Sequence, residues 1–400
     1  MKILLIIIDG LGDEPILQLG NKTPLEVAKT SNLDFLAKNG ICGQVEPAIY
    51  NALPTSEETH LALFGYDSRT YQVRRGIFTA LGAGFKMKTG DVALRGNFGT
   101  VDENLNMIDR RAGRIKDTRP FIKELNNIVI EGVKFLLKPA GEHRAGIILR
   151  GKNLSSQISD GDPHYGKLGK RAKKIIPLDK SPEAKFTARV LNKFLEESHQ
   201  ILKNRPLNKK RKKSGLLPAN FLLVRGASSL KKIPSFKEKY KLRAACIAGK
   251  VLYQQIAKIL GMDLIPVRGA NGLVTTNLKG KFETAKKSLK DYNFIFLHIK
   301  ATDSLAEDGN FLGKKKFIEK IDRNLKPILD LRNTLIVVTA DHSTCSLLKR
   351  HCKKPIPILI FGNGKDRVQE FSEKACEKGK LGKIKQIDLM PKILKLARKN

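Results

Sequence analysis

Four hundred residues, 41% hydrophobic and 28% charged, are too many for one small module and too apolar for a disordered chain, so two or three domains of ordinary size are expected. No apolar run approaches the roughly 20 residues of a membrane span, and none is followed by a small-residue cleavage site, so the chain reads as cytoplasmic with no membrane partner. Basic residues exceed acidic ones 75 to 39, a formal charge of +36. That excess attracts polyanions in general, yet no aromatic-interleaved basic stretch accompanies it, so no specific nucleic-acid partner is expected.

Lys2-Ile-Leu-Leu-Ile-Ile-Ile8 is a continuous β-rich run that stops at Asp9-Gly10, the pattern of a strand covered on both faces. Thr23-Pro-Leu-Glu26 has the capping-box spacing, which predicts a helix from there to about Lys29. The turn signals Pro54-Thr55-Ser56 run into an apolar helical pattern, placing the Ser56 hydroxyl at a helix N-terminus, where a phosphate is favoured. His60, one turn on, faces the same side. It reads equally as a packed histidine.

From about 71 to 216 the chain changes character. Short alternating stretches such as Gly90-Asp-Val-Ala-Leu-Arg95 and Ala145-Gly-Ile-Ile-Leu-Arg150 are separated by Gly, Asn and Asp, the signature of a mostly antiparallel α+β unit. The basic, Pro-containing stretch 204–214, with the second basic cluster 167–174 ahead of it, reads as an exit linker. The expected division is therefore an inserted domain at 71–214 within a larger one built from 1–70 and 215–400. In the larger domain, Asn220-Phe-Leu-Leu-Val224 and Ile356-Pro-Ile-Leu-Ile-Phe361 read as further strands and 244–260 as a covering helix. Asn293-Phe-Ile-Phe-Leu-His-Ile299 leads to Asp303, and Thr334-Leu-Ile-Val-Val-Thr339 leads to Asp341-His342. The predicted class is α/β, a doubly wound, mostly parallel sheet.

Three buried strands thus deliver acids or imidazoles to their carboxyl ends, where open α/β sheets bind ligands. Asp9, Asp303, Asp341, His342 and His351, with Ser56 and Glu307, offer hard oxygen and borderline nitrogen but no thiolate, a mix suited to Mn²⁺, Mg²⁺ or Zn²⁺. Seven candidates exceed one tetrahedral ion, and a two-metal phosphoryl-transfer site is the economical reading. Against it, any one of these acids could simply cap a helix, and Ser56 could be a plain N-cap. The five cysteines, Cys42, Cys246, Cys345, Cys352 and Cys376, form no Cys-x-x-Cys pair, so reduced thiols are expected.

The motifs Asp9-Gly-Leu-Gly-Asp13, Gly20-Asn-Lys-Thr-Pro-Leu-Glu26, Asn32-Leu-Asp-Phe-Leu-Ala37 and His60-Leu-Ala-Leu-Phe-Gly-Tyr-Asp67 appear in order. They are followed by Asp109-Arg-Arg-Ala-Gly-Arg114, Glu142-His-Arg144, Asp160-Gly-Asp-Pro-His164, His298-Ile-Lys-Ala-Thr-Asp303 and Asp341-His-Ser-Thr344, with Leu381-Gly-Lys-Ile and Asp388-Leu-Met-Pro391 to close. Over nearly its whole length the chain resembles the archaeal type of cofactor-independent phosphoglycerate mutases, within the alkaline phosphatase superfamily. The resemblance implies a phosphoserine at Ser56 in the exchange between 3- and 2-phosphoglycerate, in glycolysis and gluconeogenesis, with no 2,3-bisphosphoglycerate. It implies one metal on Asp9, Ser56, Asp341 and His342 and another on Asp303, His351 and position 307, with Mn²⁺ the expected ion. Arg95, Arg110, Arg111, Arg114, His143, Arg144 and Lys300 become substrate-binding candidates, since a guanidinium fork suits carboxylate and phosphate.

The sequence departs from the family pattern near the site. Thr55 stands for a glycine, so a strained nucleophile turn is expected. Glu57 stands for an aspartate and Glu307 for a histidine, the latter favouring Mn²⁺ or Mg²⁺ over Zn²⁺. Arg74-Arg-Gly-Ile77 and Thr79 replace a Gly-Arg-Gly-Pro stretch and its glutamate. Another phosphotransferase or phosphatase of the superfamily, and a non-catalytic polyanion-binding descendant, remain as alternatives.

Overall fold

The apolar N-terminal run forms the strand Lys2–Ile8, with Ile3 to Ile8 essentially inaccessible to solvent. A strand apolar on both faces has to lie inside a sheet, and each such side chain contributes about 1.5–3 kcal/mol on burial. It pairs in parallel with Phe294–Ile299 on one side and Thr334–Thr339 on the other. The computed structural model describes residues 1–49, 53–163, 168–229, 231 and 233–398. The chain divides into two units, Met1–Thr70 with Ile233–Asn400, and Tyr71–Lys232.

The first unit is built on an eight-stranded sheet. Asp263–Leu264, Ala244–Ile247, Phe294–Ile299, Lys2–Ile8 and Thr334–Thr339 run parallel in that spatial order. Ile356–Phe361 then pairs antiparallel with Thr334–Thr339 and with Gly40–Glu46, and Lys383–Lys385 closes the edge parallel to the latter. This is the expected α/β class with a largely parallel sheet. Register fixes the functional end: Ile8 lies beside Ile299, and Ile7 lies beside Thr339. The residues that leave these three strands therefore emerge side by side.

The second unit is an antiparallel sheet of Met107–Asp109, Val92–Val101, Arg144–Arg150, Val133–Pro139 and Val129–Ile130, with Phe221–Ser229 also paired to Val92–Val101. Its main helix, Pro182–Asn204, starts at Ser181, whose side chain accepts from the Ala184 N–H. Ala184, Ala188, Leu191, Leu195 and Leu202 recur at helical spacing on its buried stripe, as a core-facing helix requires. Phe194 stacks on Phe135 with ring centroids 4.0 Å apart.

Four expectations about elements are corrected. Asn220–Val224 is a strand, but as Phe221–Ser229 it completes the antiparallel sheet, so the second unit extends to 232 rather than 214. A bare apolar run does not say which sheet will take it. The stretch 204–214 is not a linker: Pro206 opens a second helix, Pro206–Lys213, and buried Asn208 ties it to Leu202 and Ala219. Within 244–260, Ala244–Ile247 is a buried strand and only Val251–Ile259 is helical, tertiary pairing having overridden the helix propensity of alanine. The capping box at Thr23 and Glu26 forms as predicted, but it closes a single turn. Regular helix begins at Ser31, where Asp322 accepts the Asn32 and Leu33 N–H groups and caps the new start from outside. Of the stretches singled out in sequence, His164 and Lys167 lie outside the described residues.

Candidate active site

At the carboxyl ends of the three central strands the chain delivers Asp9, then Lys300 to Asp303, then Asp341 and His342. Gly10 follows Asp9 for a steric reason. Its φ is +64°, and a Cβ there would meet Thr344 Oγ1 at 2.5 Å and the Asp303 Cβ at 2.8 Å, so only glycine lets the loops close this tightly.

The carboxylates are held by different partners. Asp9 Oδ2 accepts from the Tyr253 hydroxyl at 2.5 Å and from His298 Nε2 at 3.0 Å. Its Oδ1 faces Lys300 Nζ at 3.1 Å and His342 Nε2 at 3.7 Å. Burial, with repulsion from Asp341, pushes the Asp9 carboxyl up to about 6. Burial acts the same way on Asp341, but His342 and His60 outweigh it and hold that group below the usual carboxylate range. Asp341 Oδ1 accepts from the Gly10 N–H at 3.3 Å. Asp341 Oδ2 is fully buried and receives no well-directed hydrogen bond, although His342 Nε2 and His60 Nδ1 lie 3.1 and 3.3 Å away.

The imidazoles are oriented by what can only accept. His351 Nδ1 lies 2.8 Å from the Pro54 carbonyl, so it carries the proton and turns Nε2 toward Asp303 Oδ1 at 3.4 Å. Thr344 Oγ1 donates to Asp303 Oδ1 at 2.6 Å and lies 3.2 Å from His342 Nδ1. His342 is thereby assigned Nδ1–H, which leaves its Nε2 lone pair for a ligand or for the Ser56 hydroxyl at 3.3 Å. The two rings stack with centroids 3.6 Å apart. His351 is partly buried, which disfavours its charge, but Asp303 and the Pro54 carbonyl prevail and raise it to about 9. A cation there competes with a proton.

Asp303 is buried too, yet Lys300 and His351 keep it ionised well below the ordinary range. Lys300 Nζ contacts Asp303 Oδ2 at 2.5 Å and Asp9 Oδ1 at 3.1 Å. It thus sits among the carboxylates. Ser56 is the first residue of the helix Ser56–Leu63, as expected. Thr55 before it has φ −113°, ordinary extended backbone, so the strain expected from losing a glycine does not arise. The Thr55 hydroxyl instead donates to Glu58 at 2.8 Å. His60 is buried, with Nδ1 on the Ser56 carbonyl at 2.7 Å, and burial lowers its pKa to about 4. It supports the Ser56 turn as a neutral packed histidine.

Two clusters have the spacing of cation sites, Asp9 with Asp341 and His342, and Asp303 with His342 and His351, each offering ligand atoms within 4.8 Å of one another. The fit to a divalent ion rests on the donor set, hard oxygen with imidazole, and on the orphaned Asp341 Oδ2. His342 belongs to both clusters, whereas the sequence reading gave it to one. Glu307, at the end of the helix Ala301–Glu307, is in neither; its Oε1 lies 3.9 Å from His351 Nε2 on a side chain 37% exposed.

In the second unit, Asp162 is wholly buried and takes a bidentate pair from Arg110 at 2.7–2.9 Å, with Asn97 Nδ2 at 3.0 Å and Arg225 Nε at 4.0 Å. Arg95 Nε donates to Asn97 at 3.3 Å, and Arg144 pairs with Glu142 at 2.9 Å. Burial and the charges of Arg144, Arg95, Arg111 and Arg110 push His143 down to about 3. The arginines thus gather around a neutral histidine. Arg114 is exposed, with φ +58°, and is not among the charges acting on His143.

Sequence reasoning missed Tyr253, His298, Thr344 and Arg225 as members of these sites. His298 and Thr344 stood within quoted motifs, His298 only two residues before Lys300-Ala-Thr-Asp303. Tyr253 carried no signal beyond a lone aromatic in a helical pattern.

The model of the Metalloenzyme superfamily matches residues 1–396. A relative in Methanococcus aeolicus named 2,3-bisphosphoglycerate-independent phosphoglycerate mutase is 45% identical, over 100% of this chain and 98% of that one. A relative of that name in Archaeoglobus fulgidus, numbered 1 there, is 43% identical over 98% and 96%. Among solved structures, a protein from Pyrococcus horikoshii superposes with a TM-score of 0.82 at 33% identity, covering 100% of this chain and 98% of that one. The cofactor-independent phosphoglycerate mutase from Thermoplasma acidophilum gives 0.70 at 35%, over 99% and 100%.

Proposed function

The chain belongs to the Metalloenzyme superfamily, and from that premise we propose that it is a 2,3-bisphosphoglycerate-independent phosphoglycerate mutase, an isomerase of glycolysis and gluconeogenesis acting in the cytoplasm on a small phosphorylated substrate. The observation that carries the reading is Ser56 at a helix N-terminus, 3.3 Å from the Nε2 of a histidine shared by two carboxylate clusters. No helix among the described residues is long and apolar enough to cross a membrane.

Ser56 Oγ takes the phosphoryl group from the 3-oxygen of the substrate, and the glycerate reorients while the phosphoserine persists. The group then returns to the 2-oxygen and frees the serine. The helix N-terminus favours the anionic phosphoserine. Asp9, Ser56, Asp341 and His342 would hold one divalent ion, and Asp303, His351 and Glu307 the other, with His342 within reach of both. Such ions, Mn²⁺ ahead of Mg²⁺ or Zn²⁺ because Glu307 is a carboxylate, lower the serine pKa and neutralise charge on the transferring group. Lys300 is placed to add a positive charge beside Asp9 and Asp303. Arg95, Arg110, Arg111, Arg114 and Arg144, with His143, are the groups suited to grip carboxylate and phosphate by bidentate hydrogen bonds.

The test is turnover of 3-phosphoglycerate with Mn²⁺, following 2-phosphoglycerate and free phosphate together. Wild type is expected to form 2-phosphoglycerate and to carry one phosphate on Ser56 in a quenched intact-mass spectrum. Ser56→Ala is expected to lose both while unfolding within about 1 kcal/mol of wild type. Free phosphate as the main product would make the protein a phosphatase instead.

A further inference from the structure

Two of the five cysteines do not remain thiols: Cys345 and Cys352 form a disulfide, with Cα atoms 5.9 Å apart, while Cys42, Cys246 and Cys376 are free and buried. This corrects the expectation of reduced thiols, which looked for Cys-x-x-Cys spacing and could not foresee a hairpin folding back on itself. The bond spans the two-stranded ribbon Ser343–Cys345 and Arg350–Cys352, in which Thr344 lies opposite His351. Each strand has only three residues, and a ribbon so short is marginal on its own.

Its two limbs are anchored unequally. The first follows directly from His342 and is fixed at many points. The Thr344 N–H donates to the Gly12 carbonyl at 2.9 Å, and Lys314 Nζ to the Thr344 carbonyl at 3.0 Å. The Ser346 N–H and hydroxyl both donate to Asp13, at 2.9 and 2.6 Å. The second limb carries His351. Beyond the ribbon, its polar contacts among the described residues are those of His351 alone, with the Pro54 carbonyl at 2.8 Å, Asp303 Oδ1 at 3.4 Å and Glu307 Oε1 at 3.9 Å, and between the limbs the turn exposes Leu347 and Leu348.

The geometry points to a positioning role for the Cys345–Cys352 disulfide: it ties the weakly anchored limb bearing His351 to the firmly anchored limb following His342, and so holds the Asp303, His342 and His351 cluster ready for its cation. The inference rests on the reading of that cluster as a metal site. Opening the bond by a dithiol such as a thioredoxin-type protein moves two electrons and two protons onto the two sulfurs and oxidises the partner dithiol to its disulfide. His351 then loses its covalent tether, and the cluster binds its ion less tightly.

The experiment is Mn²⁺ titration by calorimetry on the intact protein, before and after reduction by a water-soluble phosphine. That reagent breaks the S–S bond, takes an oxygen atom from water to become the phosphine oxide, and leaves two thiols. Alkylation and mass spectrometry count the thiols in each sample. Two new thiols at Cys345 and Cys352 and a loss of about tenfold or more in affinity at one of two sites are expected, the range typical of removing support for a metal ligand. The double variant Cys345→Ser/Cys352→Ser should show the weak affinity without phosphine and no response to it. Equal affinity in oxidised and reduced protein, or native protein with both cysteines already free, would overturn the inference alone. Absence of Mn²⁺ binding in the oxidised protein would overturn the reading of the cluster and the inference with it.

Discussion

Lys314 is a lysine with no access to solvent, and its ammonium spends all three protons on the Gly12 carbonyl, Asp13 Oδ2 and the Thr344 carbonyl, at 3.1, 2.8 and 3.0 Å. Asp13, itself buried, also accepts from Ser346. Lys314→Met would remove one partner and strand a buried carboxylate, which costs about 3–5 kcal/mol. The expected result is a fall of that size in unfolding free energy by urea denaturation, recovered in part when Asp13→Asn is added. A loss below about 1 kcal/mol would mean that water replaces the ammonium. At this scale the gathering of the acids was legible, because Asp9, Asp303 and Asp341 each stop or closely follow an apolar strand and register does the rest. Lys314 and Tyr253 were not, since their partners lie hundreds of positions away on other elements, as in the 244-residue separation of Tyr253 from Asp9. Thr55 is the opposite case. A sequence rule about glycine predicted strain that an extended φ never demanded.

At the scale of elements, strands were readable where burial is two-sided: Lys2–Ile8, Thr334–Thr339 and Ile356–Phe361 stand where the apolar runs lie. Sheet membership was not readable, because pairing is set by long-range contacts. Phe221–Ser229 joins Val92–Val101 in the second unit for that reason. The helix Arg75–Gly82 packs on these two strands so closely that a Cβ at Gly76 would lie 2.2 Å from the Ala93 carbonyl oxygen and 2.5 Å from that of Gly226. Both obstacles are backbone and cannot rotate away. Gly76→Ala must therefore lift the helix off the sheet, and it is expected to cost at least the 1–3 kcal/mol of an overpacked core, roughly, in unfolding free energy. Gly84→Ala is the control. With φ +77° and open space around it, it should lose only about 1–2 kcal/mol, the cost of placing a side chain in the left-handed region. Equal losses at the two positions would refute the close-approach account of Gly76.

The charge of +36 belongs to the whole molecule, since lysines and arginines occur in nearly every segment. Two consequences follow from one cause. Like charges spread over the surface repel one another and oppose the folded state, while the same field draws in a small anionic substrate and raises its rate of encounter. Both effects reach as far as salt allows, about 30 Å at 0.01 M ionic strength and about 3 Å at 1 M. Raising KCl should therefore move stability and catalysis in opposite directions. The thermal midpoint should climb as self-repulsion is screened. The kcat/KM for 3-phosphoglycerate should fall several-fold, with kcat nearly constant, because screening acts on approach rather than on the chemical step. A set of Lys→Gln changes in the basic helix Pro206–Lys213, at Lys209, Lys210, Lys212 and Lys213, separates a local patch from the general field. Loss of most of the salt dependence in that variant would place steering in the helix, whereas a small change in slope is expected if the field is the sum of the whole surface. A kcat/KM indifferent to salt in the wild type would show that the excess charge plays no part in substrate capture.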